Sequence, residues 1–153
     1  MKNVKQISTV ITTINSPTKA IKKFDMIRSS KLLVIGDKKT PNDFSIKRGD
    51  YLSYKDQLKL PYSFVKYCPL NHYSRKNIGY LHLFRTKPNI IAESDDDNIP
   101  YKFWGEDINF KFPGVKVLIS SFWGGPGGPP PLSRGIFLRL IFHLPWYVVR
   151  VLP

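Results

Sequence analysis

Apolar residues follow two rhythms along the first hundred positions. Val10-Ile11-Thr12-Thr13-Ile14 is a β-branched run of strand length, and Lys31-Leu32-Leu33-Val34-Ile35-Gly36 reads as a second strand that ends on glycine. Between them Ala20, Ile21, Phe24 and Ile27 recur at helical spacing. Ser16 as N-cap with Pro17 at the first helical position predicts the start of that helix. Residues 38–50 are polar and read as a loop, 51–53 as a short strand, and 53–60 as a short helix closed by Pro61. Asn71 to Ser74 lead into a helix over about 75–85, stopped by Pro88. Residues 89–93 form a further strand, which runs into Ser94-Asp95-Asp96-Asp97-Asn98.

Strand–helix–strand alternation of this kind predicts an α/β fold with a mostly parallel sheet and crossover helices. Such sheets bind ligands at the carboxyl ends of their strands. Asn15, Asp37 and the acidic run Asp95, Asp96 and Asp97 all fall at predicted strand ends, which makes them candidate site residues. Adjacent carboxylates repel, and a hard divalent cation with oxygen ligands is the natural neutraliser. The plainer reading of the triplet is a solvated turn, because Asp and Asn favour turns.

The chain changes character at about residue 113. Gly124-Gly125-Pro126-Gly127-Gly128-Pro129-Pro130-Pro131 reads as loop or linker. Residues 137–151 are apolar with two arginines, a pattern for a helix and then, after Pro145, a strand. Two sections are therefore expected: 1–112 as the α/β unit, and 113–153 as a Gly/Pro-rich linker with an apolar tail. A reading frame continuing in another phase beyond the Pro153 codon would mark that tail as a frameshift product.

Composition narrows the function. The chain has 153 residues, about one domain's worth, and its 42% hydrophobic content suffices for a core. With 24 Lys and Arg against 11 Asp and Glu, the net charge of +13 predicts an anionic partner. The basic residues are spread thinly rather than in a block, so no nucleic-acid partner is expected. The lone Cys68 excludes an internal disulfide and a cysteine-based zinc site, and reads as a small buried apolar residue. His72, His82 and His143 are not spaced as metal ligands; His82 reads as partly buried structure, and His72 as a residue that could approach phosphate. No signal peptide is apparent, and Arg139, His143, Pro145 and Arg150 interrupt the apolar stretch 136–152. The expectation is a cytoplasmic or peripheral chain, with membrane contact at most peripheral.

Arg75-Lys76-Asn77-Ile78-Gly79 stands about twenty residues before the acidic run, at a predicted helix N-terminus. Helix N-termini favour anions. Two cations there could hold a diphosphate while a metal on the carboxylates bridges it from the other side, which is what a nucleoside diphosphate leaving group needs. The alternative for Arg75 and Lys76 is ordinary solvated charge.

In order along the chain, Val10-Ile11-Thr12-Thr13-Ile14-Asn15, Pro17-Thr18, Val34-Ile35-Gly36-Asp37-Lys38-Lys39-Thr40-Pro41, Tyr51-Leu52-Ser53, Gln57, Leu60-Pro61-Tyr62, Arg75 to Leu81, and Asp95-Asp96-Asp97-Asn98 resemble the STELLO-type glycosyltransferase family. The resemblance covers roughly residues 7–104. More distantly the chain is similar to family-2-like glycosyltransferases of the GT-A fold. The resemblance implies a Rossmann-like GT-A half-domain, a three-layer α/β/α sandwich. It further implies a nucleotide-sugar donor (a UDP-sugar favoured), a glycan or other hydroxyl acceptor, and Mn²⁺ or Mg²⁺ as cofactor. Its D-x-D motif maps the metal onto Asp95 and Asp97. It points to Thr13 and Asn15 at the nucleoside, to Asp37 at the base, and to Arg75, Lys76 and Asn77 on the donor side. Golgi residence is a further implication of the family.

The chain departs from the family pattern in Glu93-Ser94, which precede the triplet, and in Leu132-Ser133-Arg134-Gly135-Ile136-Phe137, a remnant lacking the usual Trp-Pro. The acceptor half, which normally carries the general base, is unrecognisable. The expected function is hexosyl transfer from a nucleoside diphosphate donor by a metal-dependent glycosyltransferase or its donor-binding part. The alternative is a catalytically inactive fragment acting by partner binding.

Overall fold

The computed structural model describes residues 7–86, 88, 90–101, 104 and 148–149. Five strands form one sheet: β1 (Ile7–Thr12), β2 (Ser30–Ile35), β3 (Asp50–Leu52), β4 (Ile90–Asp95) and the two-residue β5 (Val148–Val149). Their order is β3-β2-β1-β4-β5, and every pairing is parallel. The helices are α1 (Lys19–Met26), α2 (Tyr54–Gln57), α3 (Phe64–Tyr67) and α4 (Lys76–Phe84), the last preceded by a 3-10 turn at Tyr73–Arg75. This is the expected Rossmann-like α/β fold. The Gly/Pro run and the predicted helix before Pro145 lie outside the described residues.

The alternation of side chains along each strand builds two cores. Ile11 of β1 with Leu32 and Val34 of β2 face α1, where they pack with Ile21, Phe24 and Phe44. Val10, Leu33, Ile35 and Ile91 point the other way and meet Leu83 of α4. Because β1 is covered on both faces, Ile7 to Ile11 are buried without interruption, the polar Ser8 and Thr9 included. Trp104 closes the α1 face with its ring edge-on to Phe24, 5.4 Å between centroids. A smaller cluster of Val65, Cys68 and Ile78 seats α3 beside α4.

Gly79 explains how α4 lies so close to the sheet. A Cβ on it would stand 2.6 Å from Val10 Cγ1 and 3.1 Å from Ile35 Cγ1, so only glycine permits this approach. Gly36 serves β3 similarly, since a Cβ there would meet the Tyr51 hydroxyl at 2.5 Å. Tyr51 stacks on Phe44 at 4.3 Å, and burial pushes its phenol pKa up against the opposing hydrogen bond with Thr40.

Two local expectations are corrected. α1 begins at Lys19, and its N-cap is Thr18, whose Oγ1 accepts from the Ile21 amide at 3.2 Å. Ser16 and Pro17 lie before the helix. β1 ends at Thr12, so Ile14 is exposed rather than buried in a strand. α3 has no counterpart in the sequence reading, because its four residues bury only Val65.

The loop between β2 and β3 is pinned from α1. The buried Asp25 carboxylate accepts from the amides of Lys47, Arg48 and Gly49 at 2.7, 3.0 and 2.7 Å. Three backbone donors satisfy a charge that would otherwise be costly to bury.

Candidate functional site

Register decides which residues can meet at the edge of the sheet. Thr12 pairs with Ile35 on one side and with Asp95 on the other, so β1, β2 and β4 end level. The residues that follow them therefore emerge together: Thr13 to Thr18, Gly36 to Thr40, and Asp96 to Asn98. The order β2-β1-β4 makes β1/β4 the place where the chain's winding reverses. Crevices at such switch points are where doubly wound sheets take ligands.

Strand alternation then sorts the carboxylates. Ile91 faces α4, so Glu93 and Asp95, two and four residues on, share that face. Asp95 meets Lys76 in the first turn of α4, where the ammonium pairs with Oδ1. The Lys76 side chain is 5% exposed and that of Asp95 52%. Asp96, one residue on, turns to the α1 side. Its Oδ2 accepts from Thr13 Oγ1 at 2.5 Å and from Asn15 Nδ2 at 3.0 Å, and its carbonyl accepts from Thr18 Oγ1. Thr18 thus caps α1 with its oxygen and holds the acidic turn with its proton. Asp97 is exposed and makes no hydrogen bond or ion pair among the described residues.

Thr13 is buried and locked on three sides. Its amide donates to the Ile35 carbonyl at 3.1 Å, its carbonyl accepts from Thr40 Oγ1 at 2.7 Å, and its hydroxyl holds Asp96. Asn15, bonded to Asp96, is exposed at this edge, and Asn77 is exposed in the first turn of α4.

Arg75 and Asp37 stand at the expected helix start and strand end, and both are buried there in one network. Arg75 is 1% exposed, and its guanidinium is engaged by the chain's own acceptors. Its Nη2 donates to Gln57 Oε1, its Nη1 to the Cys68 carbonyl at 3.3 Å, and its Nε lies 3.5 Å from Asp37 Oδ2 without hydrogen-bond geometry. The guanidinium also lies over the Tyr54 ring, 5.2 Å from its centroid. Asp37 is likewise enclosed, accepting from the amides of Lys38 at 2.6 Å and Asn71 at 2.7 Å. Asn71 has φ 51°, a left-handed conformation that asparagine tolerates, and its amide points at that carboxylate. Gln57 completes the cluster by donating to the carbonyls of Gly36 and Leu52 at 2.7 and 2.9 Å. These residues brace the rim of the site, with the Asp37 carboxylate held by the Lys38 and Asn71 amides and beside Arg75.

His72 folds back to cap the 3-10 turn, its Nδ1 accepting from the Ser74 amide at 3.1 Å. Cys68 is buried as expected. Sequence reasoning missed Thr18 and the separate role of Asp96. A hydroxyl three residues before the buried Ile21 was the available signal for the first. Nothing local distinguishes Asp96 from its two neighbours.

The fold and this edge define a Rossmann-like domain with an acidic turn at its switch point. No family model matches the chain. Over 87 residues it is 32% identical to the probable glycosyltransferase STELLO1 of Arabidopsis thaliana, and over 87 residues 30% identical to the probable glycosyltransferase STELLO2 of the same plant. Each match covers 57% of this chain and 11% of the relative's length. These likenesses support a STELLO-like assignment, as the ordered motifs imply. No helix among the described residues is long and apolar enough to cross a membrane.

Proposed function

We propose that the chain binds a nucleoside diphosphate sugar in the β1/β4 crevice and is the donor-binding part of a metal-dependent glycosyltransferase, with a UDP-sugar the favoured donor. One observation carries this reading: Asp96 is fastened to the β1–α1 segment, while Asp95 and Asp97 stay exposed on either side of it. An anionic donor also suits the chain's net charge of +13.

A hard divalent cation on two of the carboxylates is part of this reading. No group of three or more His, Cys, Asp and Glu among the described residues could hold a metal ion. Two carboxylates, with water and phosphate oxygens at the other positions, are the ligand set Mg²⁺ commonly takes. Asp95 and Asp97 would hold Mg²⁺ or Mn²⁺, and the ion when bound neutralises charge on the departing diphosphate. Lys76 adds a positive charge beside the same phosphates. Asn15 and Asn77 offer amide groups at the rim, and Thr13 fixes the acidic turn through Asp96. Arg75 and Asp37 act one layer below, by holding the rim in place. The acceptor hydroxyl attacks the anomeric carbon as its proton passes to a general base outside the residues assigned above, and the sugar–phosphate bond breaks with its electron pair leaving on the diphosphate.

Calorimetry with UDP-sugars in the presence of Mn²⁺ tests the reading. Heat of binding that disappears in Asp95→Asn and Asp97→Asn is the expected result, and no heat with any common donor refutes it. Binding without transfer or hydrolysis selects the second reading, a catalytically inactive fragment that acts by partner binding.

A further inference from the structure

We propose that Lys76 is a tethered stand-in for the divalent cation: it neutralises Asp95 while the site is empty and gives the carboxylate up when cation and diphosphate enter together. This rests on the donor-site reading above. Lys76 is 4% exposed, yet its ammonium reaches the half-exposed carboxylate of Asp95 at the strand end. Asp95 is its only hydrogen-bonding or ion-pairing partner among the described residues. An ammonium carries three donors, so two are left for a new acceptor. Its four-carbon stem is flexible, which allows a short swing that the planar, three-way-anchored guanidinium of Arg75 could not make.

Two electrostatic consequences follow. A divalent cation arriving alone on Asp95 must face an ammonium already on that carboxylate, and like charges that close repel strongly in a partly buried site. A diphosphate arriving with the cation removes the conflict, because its oxygens accept the displaced ammonium through charge-assisted hydrogen bonds. Lys76 therefore disfavours the metal by itself and favours metal and diphosphate as a pair. That is a coupling free energy between two ligands, and it is reciprocal.

The test is a Mn²⁺ titration followed by electron paramagnetic resonance, on wild type and Lys76→Met, with and without UDP. Methionine keeps most of the buried stem and removes the charge. Lys76→Met is expected to bind Mn²⁺ alone about tenfold more tightly than wild type, and to lose most of the enhancement that UDP gives wild type. The gain is expected to vanish in Lys76→Met with Asp95→Asn. Unchanged or weaker affinity for Mn²⁺ alone overturns the inference, and so does a gain that survives Asp95→Asn. UDP-dependent Mn²⁺ binding in wild type with no gain in Lys76→Met leaves the donor-site reading standing and removes only the inference. Absence of Mn²⁺ binding in every combination removes both. Should Lys76→Met fail to fold, wild type suffices: its Lys76 ammonium resonance, slow to exchange in ¹⁵N-detected NMR, is expected to shift on adding Mg²⁺ with UDP but not Mg²⁺ alone. A resonance that ignores the pair overturns the inference.

Discussion

The Nε atom of Arg75 stands 3.5 Å from Oδ2 of Asp37, and both side chains are almost wholly enclosed. The pair joins the end of β2 to the turn that starts α4, and through Gln57 it reaches β3 and α2. Removing one partner of a buried ion pair leaves the other charge uncompensated, at a cost of about 3–5 kcal/mol. Arg75→Met is expected to destabilise the fold on that scale. Arg75→Lys should recover little of the loss, because an ammonium cannot span acceptors on Gln57, Cys68 and Asp37 at once. Urea unfolding midpoints measure both, and a midpoint for Arg75→Lys close to wild type would contradict the assigned role.

Gly79 invites a substitution in which two effects oppose. Alanine is the better helix former by about 1 kcal/mol. Its Cβ, however, would lie 2.6 Å from Val10 Cγ1, inside the packed face of β1. Overpacking of this kind costs about 1–3 kcal/mol, so the clash wins. Gly79→Ala should lower stability, and Gly79→Val should lower it further. A stabilised Gly79→Ala protein in thermal unfolding would show that α4 can lift away freely.

The three aspartates should separate by assay. Asp96→Ala removes the acceptor of Thr13 and Asn15 and should lower folding stability by about 1–3 kcal/mol. Asp97→Asn, at an exposed residue with no partner among the described residues, should leave stability within about 0.5 kcal/mol of wild type. On the proposed function, its effect falls on Mn²⁺ and UDP-sugar binding instead. Paired unfolding and binding curves decide this, and equal stability losses at both positions would remove the distinction.

His82 gives the fold a pH dependence. Burial pushes its pKa below the ordinary histidine value; Asp50 opposes this, while Arg85 and Lys31 add to it. Its Nδ1 has no hydrogen-bond partner among the described residues. The unfolded chain therefore binds a proton more readily than the folded one. Stability is fully present above the ordinary pKa of about 6.5 and declines as pH falls through it toward the depressed folded value. Urea midpoints measured from about pH 7.5 to about pH 5 should drop, and His82→Gln should flatten that part of the decline. An unaltered slope in His82→Gln would assign the decline to other groups.

The fold was legible where local chemistry and tertiary structure agree. The β-branched run at β1 and the apolar runs at β2 and β4 announced three strands of a parallel sheet, and the level strand ends followed from the pairing the structure shows. Legibility failed where the deciding partner is distant in sequence. Ser16 and Thr18 are equally good caps locally, and Thr18 is selected by a contact with Asp96, 78 residues away. Arg75 beside Lys76 reads as a pair of solvated cations. Its acceptors on Gln57 and Asp37 lie 18 and 38 residues upstream, and only the folded chain shows that it is buried. The triplet looks uniform in sequence because its three roles arise from pleat and turn rather than from side-chain type.

Pairing of Thr12 with Asp95 makes the acidic turn a matter of parity. Moving β4 by one residue along β1 would present Glu93's neighbours to the opposite layers, bring Asp96 under Lys76, and leave the cap of α1 facing a different carboxylate. The composition of the turn would be intact and its chemistry scrambled. Insertions or deletions between α4 and β4 are therefore tolerable only when the added or lost residues are absorbed before Ile90. The connection can vary in length, but the phase of the strand behind it cannot.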